Sequence, residues 1–351
     1  MAPQGTESSL TAGDFVSGAL PELDDLERII DLGGKHLQVR SSAAAAAQGT
    51  RSLALYTVAL GNAGANVPAV GFFGGVHGLE RIGAQVVLAF LHSLVMRLRW
   101  DATLHSQLDT VRLVFMPLVN PGGMLRGTRA NPNGVDLMRN APVDALDRAV
   151  FLVGGQRISA GLPWYRGRSG EAMEPESQAL CALVERELHP RPFSLALDLH
   201  SGFGMRDRLW FPFAHQRAPI RHLAQLHALH EIFQQSSIHH PYVFEPQSSQ
   251  YLAHGDLWDH LYLRAGEGHD RVFLPLTLEM GSWQWVKKNP RQLFSRKGIF
   301  NPLINHRLQR VLRRHMPLLD FLSRAAGSHE RWVPTPEARV QRRADALAAW
   351  Y

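Results

Sequence analysis

The sequence predicts an α/β fold, with a mixed, largely parallel twisted sheet and helices on both of its faces. Three observations predict it. Short apolar strand patterns alternate along the chain with helical patterns, as they do where helices connect parallel strands. Polar residues stand at the ends of several of these apolar strands. Neither an internal repeat nor a linker divides the 351 residues, so one main domain accounts for the pattern.

The first half of the chain supplies three predicted strands and one predicted helix. LALYTVAL, which begins at Leu53, alternates and is rich in β-forming residues, so it predicts a strand. Residues 70–75 predict a short apolar strand that ends in glycines, and residues 112–119 predict another, closed by the turn Asn-Pro-Gly-Gly. A helix is predicted at 79–97 because apolar residues recur there at helical spacing: Ile82, Val86, Val87, Phe90, Leu91 and Leu94.

The second half of the chain continues this alternation. A helix is predicted to begin at Pro175, because proline suits the first helical position and Glu176 suits the positive end of the helix dipole. Pro190 and Pro192 are expected to end it. The remaining elements follow as strand, helix, strand and helix, predicted at 194–199, 218–235, 272–279 and 303–325.

The composition is that of a soluble globular protein. Apolar residues make up 45% of the chain and charged residues 19%. Apolar stretches are interrupted well before the roughly 18 residues that a helical membrane span needs. The N-terminal residues lack the basic start and apolar run of a secretory signal, and the single cysteine, Cys181, excludes an internal disulfide. We therefore expect a cytoplasmic protein with no membrane partner.

The two ends of the chain are predicted to lie outside the main domain. Residues 1–50 form a weakly patterned N-terminal lead-in, residues 51–327 form the catalytic domain, and residues 328–351 form a basic C-terminal tail. The formal net charge is +6, and much of the excess is arginine in the last fifty residues. Without a nucleic-acid motif beside it, this charge favours a solvated helix face and tail over nucleic-acid binding.

Polar residues that can bind a metal follow three of the apolar strands. His77 and Glu80 come after the second predicted strand, His200 follows the fourth, and Glu279 ends the fifth. Because ligand sites in open α/β sheets gather beyond the carboxyl ends of the strands, these side chains are expected to meet. Two imidazoles and one carboxylate leave a fourth position open for water, which is the pattern of catalytic zinc. Glu279 is then placed to act as the general base.

Each of these residues also has a purely structural interpretation when it is taken alone. A His-x-x-Glu pair is a weak metal motif, His200 could be a hydrogen-bonded core histidine, and Glu279 could cap a helix or pair with an arginine. The order of the four residues, and their positions at strand ends, favour the metal site over these alternatives.

Six motifs follow one another between about residues 53 and 285: GGVHGLE, VNPGG, RGTRANPNGVDLMRN, EPESQAL, LDLHSG and LTLEMGSW. In this order they resemble the carboxypeptidase A family of zinc metallopeptidases. The resemblance implies a zinc carboxypeptidase-like domain that holds one zinc ion on His77, Glu80 and His200. It also implies a metallocarboxypeptidase-like hydrolase that cleaves the C-terminal amide bond of a peptide, with Glu279 as the general base.

Further roles follow from the resemblance, residue by residue. Asp136 matches the carboxylate that orients the first ligand histidine, and Arg129 matches the arginine that stabilises the oxyanion of the tetrahedral intermediate. Arg139 matches the arginine that receives the terminal carboxylate of the substrate. Tyr251 resembles, in a looser local match, the mobile tyrosine that closes over bound substrate, and its alternative is a loop aromatic packed on its neighbours. Arg126 competes with Arg129 for the oxyanion role and is otherwise a surface residue.

One position departs from the family pattern. The family has asparagine immediately before the carboxylate-binding arginine, where this chain has Met138, and a thioether is a poor hydrogen-bond partner. The predicted carboxylate clamp is therefore incomplete, which leaves open a substrate without the usual free C terminus. By alignment, Asp256 and Leu257 fall near the predicted specificity pocket, where an acid would favour basic substrates and a leucine apolar ones.

The sequence leaves four functions open. The first is metallocarboxypeptidase action on a peptide. The second is removal of an acyl group from an N-acyl amino acid, or another specialised amidase activity on the same fold, which takes an acyl-amide substrate. The third is a non-catalytic peptide-binding module, which Met138 suggests and the intact metal and base residues oppose. The fourth, polyanion binding through the C-terminal arginines, is compatible with catalysis. The sequence makes no prediction of the oligomeric state.

Overall fold

The structure, a computed structural model, describes residues 20–46, 52–237, 239, 242–266 and 271–351. Of the predicted N-terminal lead-in, residues 1–19 and 47–50 lie outside the described residues. The described residues build one sheet with helices packed against it, and this arrangement sets the position of the candidate site.

Eight strands are found in the described part of the chain: β1 (Gln38–Ala43), β2 (Ala54–Gly61), β3 (Ala69–Gly74), β4 (Arg112–Met116), β5 (Phe193–Ser201), β6 (Arg208–Phe211), β7 (Val243–Pro246) and β8 (Val272–Met280). They form one sheet in the order β1-β2-β4-β3-β5-β8-β6-β7. The central strands β4, β3, β5 and β8 are parallel. In contrast, β2 runs antiparallel to both β1 and β4, and β6 runs antiparallel to β8. The predicted mixed, largely parallel sheet is therefore confirmed.

Ten α-helices lie within the same described ranges: α1 (Pro21–Gly33), α2 (Arg81–Arg97), α3 (Ala102–Leu108), α4 (Pro121–Arg126), α5 (Pro175–Glu187), α6 (Leu223–Ser236), α7 (Leu257–Ala265), α8 (Trp283–Lys288), α9 (Asn305–Gly327) and α10 (Pro336–Trp350). Successive residues of a strand point to opposite faces of the sheet. In β3 the ring of Phe72 meets Phe90 of α2 at 5.3 Å between centroids, whereas the neighbouring Phe73 meets Trp258 of α7 at 5.0 Å. Helices therefore cover both faces of the sheet.

The central strands are apolar along almost their whole length because helices remove both of their faces from water. Every residue of β3 and of β5 is buried. In β8 all residues are buried except Glu279, which is partly exposed at the carboxyl end of the strand. A polar residue at the open end of an otherwise buried strand marks the edge of the sheet at which a ligand can enter.

Both ends of the chain contribute to the fold, which differs from the boundaries expected from the sequence. Residues 38–43 pair with β2 along the full length of β1, and α1 packs on α2 with Leu26 and Ile29 buried. At the other end α10 packs on α6, and the ring of Trp350 stacks on Phe244 with 5.4 Å between centroids. β1 is a largely exposed edge strand, and only Ala346 of α10 is fully buried. Neither β1 nor α10 therefore has the periodic apolar pattern from which a strand or a helix is predicted.

No single helix in the described ranges has both the length and the apolar composition needed to cross a membrane. The pair formed by α2 and α3 reaches that threshold by length and composition only when both helices are counted, and the two meet at 113°.

Candidate metal centre

The predicted metal-binding residues meet at one edge of the sheet. β3, β5 and β8 are parallel neighbours that end side by side, and the register pairs His200 of β5 with Glu279 of β8. His77 and Glu80 lie in the short connection that leads from β3 into α2. The four side chains therefore approach one another because their strands share this edge, as the sequence predicts.

Two glycines allow the start of α2 to lie close to its neighbours. A Cβ atom at Gly83, in the first turn of α2, would come 2.1 Å from the carbonyl oxygen of Leu199 in β5. A Cβ atom at Gly78 would come 2.0 Å from the carbonyl carbon of Gly123. Since no side chain fits at such distances, glycine at these positions lets the helix approach β5 and brings the ligands together.

Three side chains converge in a geometry that suits a metal ion. His77 Nδ1 lies 2.9 Å from Glu80 Oε1, and His200 Nδ1 lies 3.3 Å from Glu80 Oε2. The two Nδ1 atoms are 3.2 Å apart. The candidate ligand atoms all lie within 4.8 Å of one another, and all three residues are buried. Two ring nitrogens and a carboxylate that converge in this way form a donor set for catalytic zinc.

A buried carboxylate holds the far side of each histidine ring. His77 Nε2 lies 3.1 Å from Asp136 Oδ1, and His200 Nε2 lies 2.7 Å from Asp198 Oδ2. When each Nε2–H donates to its carboxylate, the Nδ1 lone pair is left for a metal ion. Asp136 thus lies against His77, the first of the candidate ligands.

Asp198 is a residue of the site that the sequence motifs did not predict. It lies two residues before His200 in β5, and residues two apart in a strand share one face, which is the signal that could have revealed it. Trp258 Nε1, on α7, donates to the same Oδ2 atom at 2.9 Å. Asp198 is thus held in place from a distant part of the chain while it orients His200.

Asp198→Asn is expected to lower the affinity for zinc by about 10–100-fold, because a neutral amide orients His200 less well and makes its ring less basic. The dissociation constant can be measured by competition with a chelating dye. Asp259→Asn is the matched control, since Asp259 also holds a buried histidine, His215, at 2.6 Å but lies outside the metal centre. Equal zinc affinities for Asp198→Asn and the control would remove the role of Asp198.

The charges around the triad favour a bound cation. Burial alone would raise the pKa of Glu80, but the imidazoles of His77 and His200 lower it below its usual range. Burial alone would lower the pKa of His200, but Asp198 and Glu80 raise it well above its usual value. The carboxylates thus hold positive charge at the imidazole of His200, and a divalent cation between the same groups would take the place of that proton.

Glu279 faces the triad without a partner of its own. Its Oε2 atom is buried and has no hydrogen-bond partner among the described residues. Burial and the negative charge of Glu80 raise the pKa of Glu279 to about 8, and a divalent cation on the neighbouring ligands would lower it. A carboxylate with a free oxygen beside a metal site is placed to accept a proton from water.

The predicted catalytic and substrate-binding residues line one cavity of about 270 Å³, which we call the catalytic cavity. Six of the predicted residues lie in its wall: His77, Arg129, Arg139, His200, Tyr251 and Glu279. Glu80 and Asp136 lie behind this wall, in contact with the ligand histidines. Trp210, Gln247 and Thr277 also line it and were not predicted. Trp210 lies in β6, Gln247 directly follows β7, and Thr277 lies in β8. No sequence motif links the three residues.

Arg129 is fixed beside the metal ligands. Its Nε donates to Asp136 Oδ2 at 2.7 Å, and its Nη1 donates to Glu80 Oε1 at 3.3 Å. Burial alone would lower the pKa of Arg129, but these two carboxylates raise it, so the guanidinium keeps its charge. Arg126, the competing candidate, donates to the carbonyl of Pro132 and does not line the catalytic cavity.

Arg139 and Tyr251 come together although they are far apart in the chain. Arg139 Nη2 lies 3.4 Å from the Tyr251 hydroxyl, and the guanidinium carbon lies 5.8 Å from the centre of the tyrosine ring. Met138 lines the same cavity with a thioether that donates no hydrogen bond. Its backbone N–H already donates to Asp136 Oδ1 at 3.1 Å. Arg139 and Tyr251 therefore place two side-chain donors next to each other in this cavity.

Asp256, and not Leu257, reaches the catalytic cavity. Leu257 is the first residue of α7 and is fully buried in the core. Asp256 Oδ1 caps the helix by accepting from the backbone N–H groups of Trp258 and Asp259 at 2.9 and 3.0 Å. Its Oδ2 is buried without a hydrogen-bond partner among the described residues. Burial and the charge of Asp259 raise the pKa of Asp256 to about 7.

Comparisons with known proteins match carboxypeptidases. A family model described as zinc carboxypeptidase matches residues 37–289, which is most of the chain. A carboxypeptidase D from Anas platyrhynchos is 24% identical over 176 residues. That match covers 46% of this chain and 11% of the duck protein, so the chain spans only a small part of that relative's length.

Solved structures share the fold. A carboxypeptidase A from Helicoverpa armigera has a TM-score of 0.62 and 18% sequence identity, over 86% of this chain and 71% of that one. Bovine thrombin-activatable fibrinolysis inhibitor, solved in complex with tick carboxypeptidase inhibitor, has a TM-score of 0.60 and 17% identity, over 88% of this chain and 97% of that one. At these identities the likeness establishes the fold and leaves the substrate open.

Proposed function

The chain belongs to the zinc carboxypeptidase family, and from this premise we propose that it removes the C-terminal residue of a peptide with Glu279 as the general base. Membership of the family makes the protein a hydrolase that uses one zinc ion. One observation carries the finer proposal: the free Oε2 atom of Glu279 shares a single cavity with the two ligand histidines and with Arg139.

Three side chains would hold the zinc ion: His77, Glu80 and His200. The bound ion would supply a Lewis acid that polarises the scissile carbonyl and makes water more acidic. The protein keeps the donors in position through their outer contacts. Asp136 and Asp198 orient the two rings, and the backbone N–H of Ser201 donates to the carboxylate of Glu80 at 2.9 Å.

Glu279 would move the proton that hydrolysis requires. Its free Oε2 accepts a proton from the attacking water and delivers it to the leaving nitrogen as the C–N bond breaks. Arg129 would act on the carbonyl oxygen of the scissile bond. Its guanidinium is held beside the ligands and remains charged, so it can stabilise the carbonyl oxygen as that atom becomes negative.

Arg139 would bind the terminal carboxylate of the peptide, with the Tyr251 hydroxyl as a second donor. A guanidinium can give a carboxylate two parallel hydrogen bonds, and Arg139 is buried, which strengthens such a pair. Because Met138 offers no side-chain donor, we propose that these two residues carry the recognition of the carboxylate at this end of the cavity.

Arg139→Ala is expected to raise KM for a peptide with a free C terminus by about tenfold or more, the loss typical of a hydrogen bond to a charged group. KM for the same peptide with an amidated C terminus should change far less. Steady-state kinetics on the matched pair measures both, and Arg126→Ala controls for the removal of an arginine that does not line the catalytic cavity. Equal losses on the free and amidated peptides would exclude this role for Arg139.

Asp256 would select a basic residue at the C terminus of the substrate. A buried carboxylate oxygen without a partner is costly, and an ammonium or guanidinium group entering the catalytic cavity would supply one. Among the described residues that line the catalytic cavity, the other acidic residue is Glu279, which serves the reaction itself.

The preference for a basic residue is expected to depend on pH. Since the pKa of Asp256 is raised to about 7, its ionised fraction grows as the pH rises through that value. KM for a peptide ending in lysine should therefore fall relative to KM for the same peptide ending in leucine. The ratio of the two cancels the titration of groups that serve both substrates. Asp256→Asn should remove the pH step, and a ratio independent of pH in the unaltered protein would contradict the assignment.

A pair of substrates with the same terminal residue tests the proposed function against its alternative. One is an N-acylated tripeptide and the other is the N-acyl derivative of its last amino acid. We expect the larger kcat/KM on the tripeptide, because contacts with the rest of the peptide contribute to transition-state binding. Faster hydrolysis of the N-acyl amino acid would instead identify a deacylase.

A further inference from the structure

A second cavity, of about 870 Å³, lies between α8 and the first half of α9. Among its described lining residues, four are cationic and one is acidic. The cationic residues are Lys288, Arg307, Arg310 and Arg314, and the acidic residue is Asp207. This basic cavity shares no lining residue with the catalytic cavity.

The arginines of α9 converge on the basic cavity because of their spacing. Arg307, Arg310 and Arg314 are three and four residues apart, which brings them to one face of the helix. Like charges at this spacing disfavour a helix. The spacing of the three arginines therefore does not stabilise α9, and its reason is to be sought in what the arginines contact outside the helix.

Within the described part of the chain, one of these four charges has an acidic partner. Arg314 Nε lies 2.6 Å from Asp207 Oδ2, and the other oxygen of Asp207 accepts from the backbone N–H of Gly281 at 2.8 Å. Arg307 donates to two uncharged groups, the carbonyl of Trp285 and the side chain of Gln292. Lys288 and Arg310 are both exposed, and neither has a hydrogen-bond or ion-pair partner among the described residues.

We propose that the basic cavity binds a small polyvalent anion that carries phosphate or sulfate groups. Arg307 and Arg310 offer guanidinium groups that match the geometry of such oxygens, and Lys288 adds a point charge from the end of α8. Trp285 lies in the same wall and gives the ligand an apolar surface. The proposal goes beyond peptide hydrolysis and does not depend on it.

The position of a neighbouring arginine favours a defined site over a diffuse basic surface. Arg313 lies on the same stretch of α9 but lines a different groove, between α2 and α9, where Asp320 pairs with the two other arginines, Arg97 and Arg324. Likewise Lys287 is exposed beside Lys288 and does not line the basic cavity. Lys288 and Arg310 therefore each have a nearby residue of the same charge, Lys287 and Arg313, that serves as a control.

Titration calorimetry of the zinc-loaded full chain with naphthalene-1,3,6-trisulfonate, at fixed ionic strength, tests the proposal. This trivalent anion lacks the phosphate groups that would also chelate zinc. We expect saturable binding of one equivalent, weakened by about tenfold or more in Arg310→Gln and in Lys288→Gln. The controls Arg313→Gln and Lys287→Gln, which remove the same charge a few residues away, should keep the affinity of the unaltered protein.

Two results would overturn the site. One is the absence of saturable binding to the unaltered protein. The other is an equal loss of affinity in Arg310→Gln and Arg313→Gln, which would mean that binding follows overall charge. A sulfated oligosaccharide titrated into the same four variants tests a second source of the anionic groups, a sulfated sugar chain instead of a small free anion. A loss confined to the cavity variants supports the site, and a uniform loss with a steep salt dependence indicates a diffuse surface.

Discussion

Glu279→Gln is expected to lower kcat by at least about 10²–10⁴-fold, the usual contribution of a general base, while zinc remains bound. Glutamine fills the same space, but its amide cannot accept a proton from the attacking water. The carboxylate is not one of the three ligand candidates, so its loss removes no metal ligand. Turnover of a peptide with a free C terminus and the zinc content of the purified variant are the two quantities to measure.

Glu176→Gln is the matched control for this loss. Glu176 is also a buried glutamate, but it lies in α5 and accepts hydrogen bonds from Ala45 and Asn131 rather than facing the catalytic cavity. We expect this variant to retain turnover. Near-normal kcat in Glu279→Gln would show that another group accepts the proton.

His200→Ala is expected to abolish tight zinc binding. Loss of a ligand should cost more than the roughly 10–100-fold that loss of an outer partner costs, and turnover should fall with the metal. The variant also leaves Asp198 buried without the imidazole that it now holds. Metal analysis after dialysis against a weak chelator measures the loss, and added zinc should no longer raise the melting temperature.

His215→Ala controls for the removal of a buried histidine. His215 is paired with Asp259 and does not line the catalytic cavity, so this variant should still bind one zinc ion. Retention of zinc by His200→Ala at the level of the control would contradict the assignment of the ligand. The two alanine variants together separate loss of the metal from general damage to the core.

The central sheet and the metal ligands follow from the sequence because local pattern and tertiary structure agree there. β3, β5 and β8 are apolar enough to be identified as buried strands, and their order fixes a common edge. His200 and Glu279 stand at that edge as polar residues at the ends of apolar runs, which is a local signal. His77 and Glu80 follow a run of glycines, which indicates a tight turn into α2.

The edges of the fold could not be predicted in the same way. β1 exposes most of its residues and derives its structure from pairing with β2. α10 packs against α6 through contacts such as Trp350 on His227, and against β7 through Trp350 on Phe244. These contacts join residues more than a hundred positions apart. Such contacts leave little periodic pattern in the sequence, so both segments resemble solvated ends.

Two features of the site also could not be predicted from the sequence. The role of Asp198 does not follow from the sequence although Asp198 shares a strand face with His200, because a single buried aspartate can serve many purposes. The choice between Asp256 and Leu257 depended on where α7 begins: the helix cap turns one oxygen of Asp256 inward, and Leu257 turns to the core. Alignment alone could not show which of the two side chains reaches the catalytic cavity.

The most direct test of the account is mass spectrometry of a mixed peptide pool after incubation with the zinc-loaded protein, with Glu279→Gln as the control. We expect the loss of single C-terminal residues, with basic residues removed first, and no such loss in the control. Internal cleavage of the peptides, or an unchanged pool with the fully zinc-loaded protein, would contradict the proposal that this chain is a working carboxypeptidase.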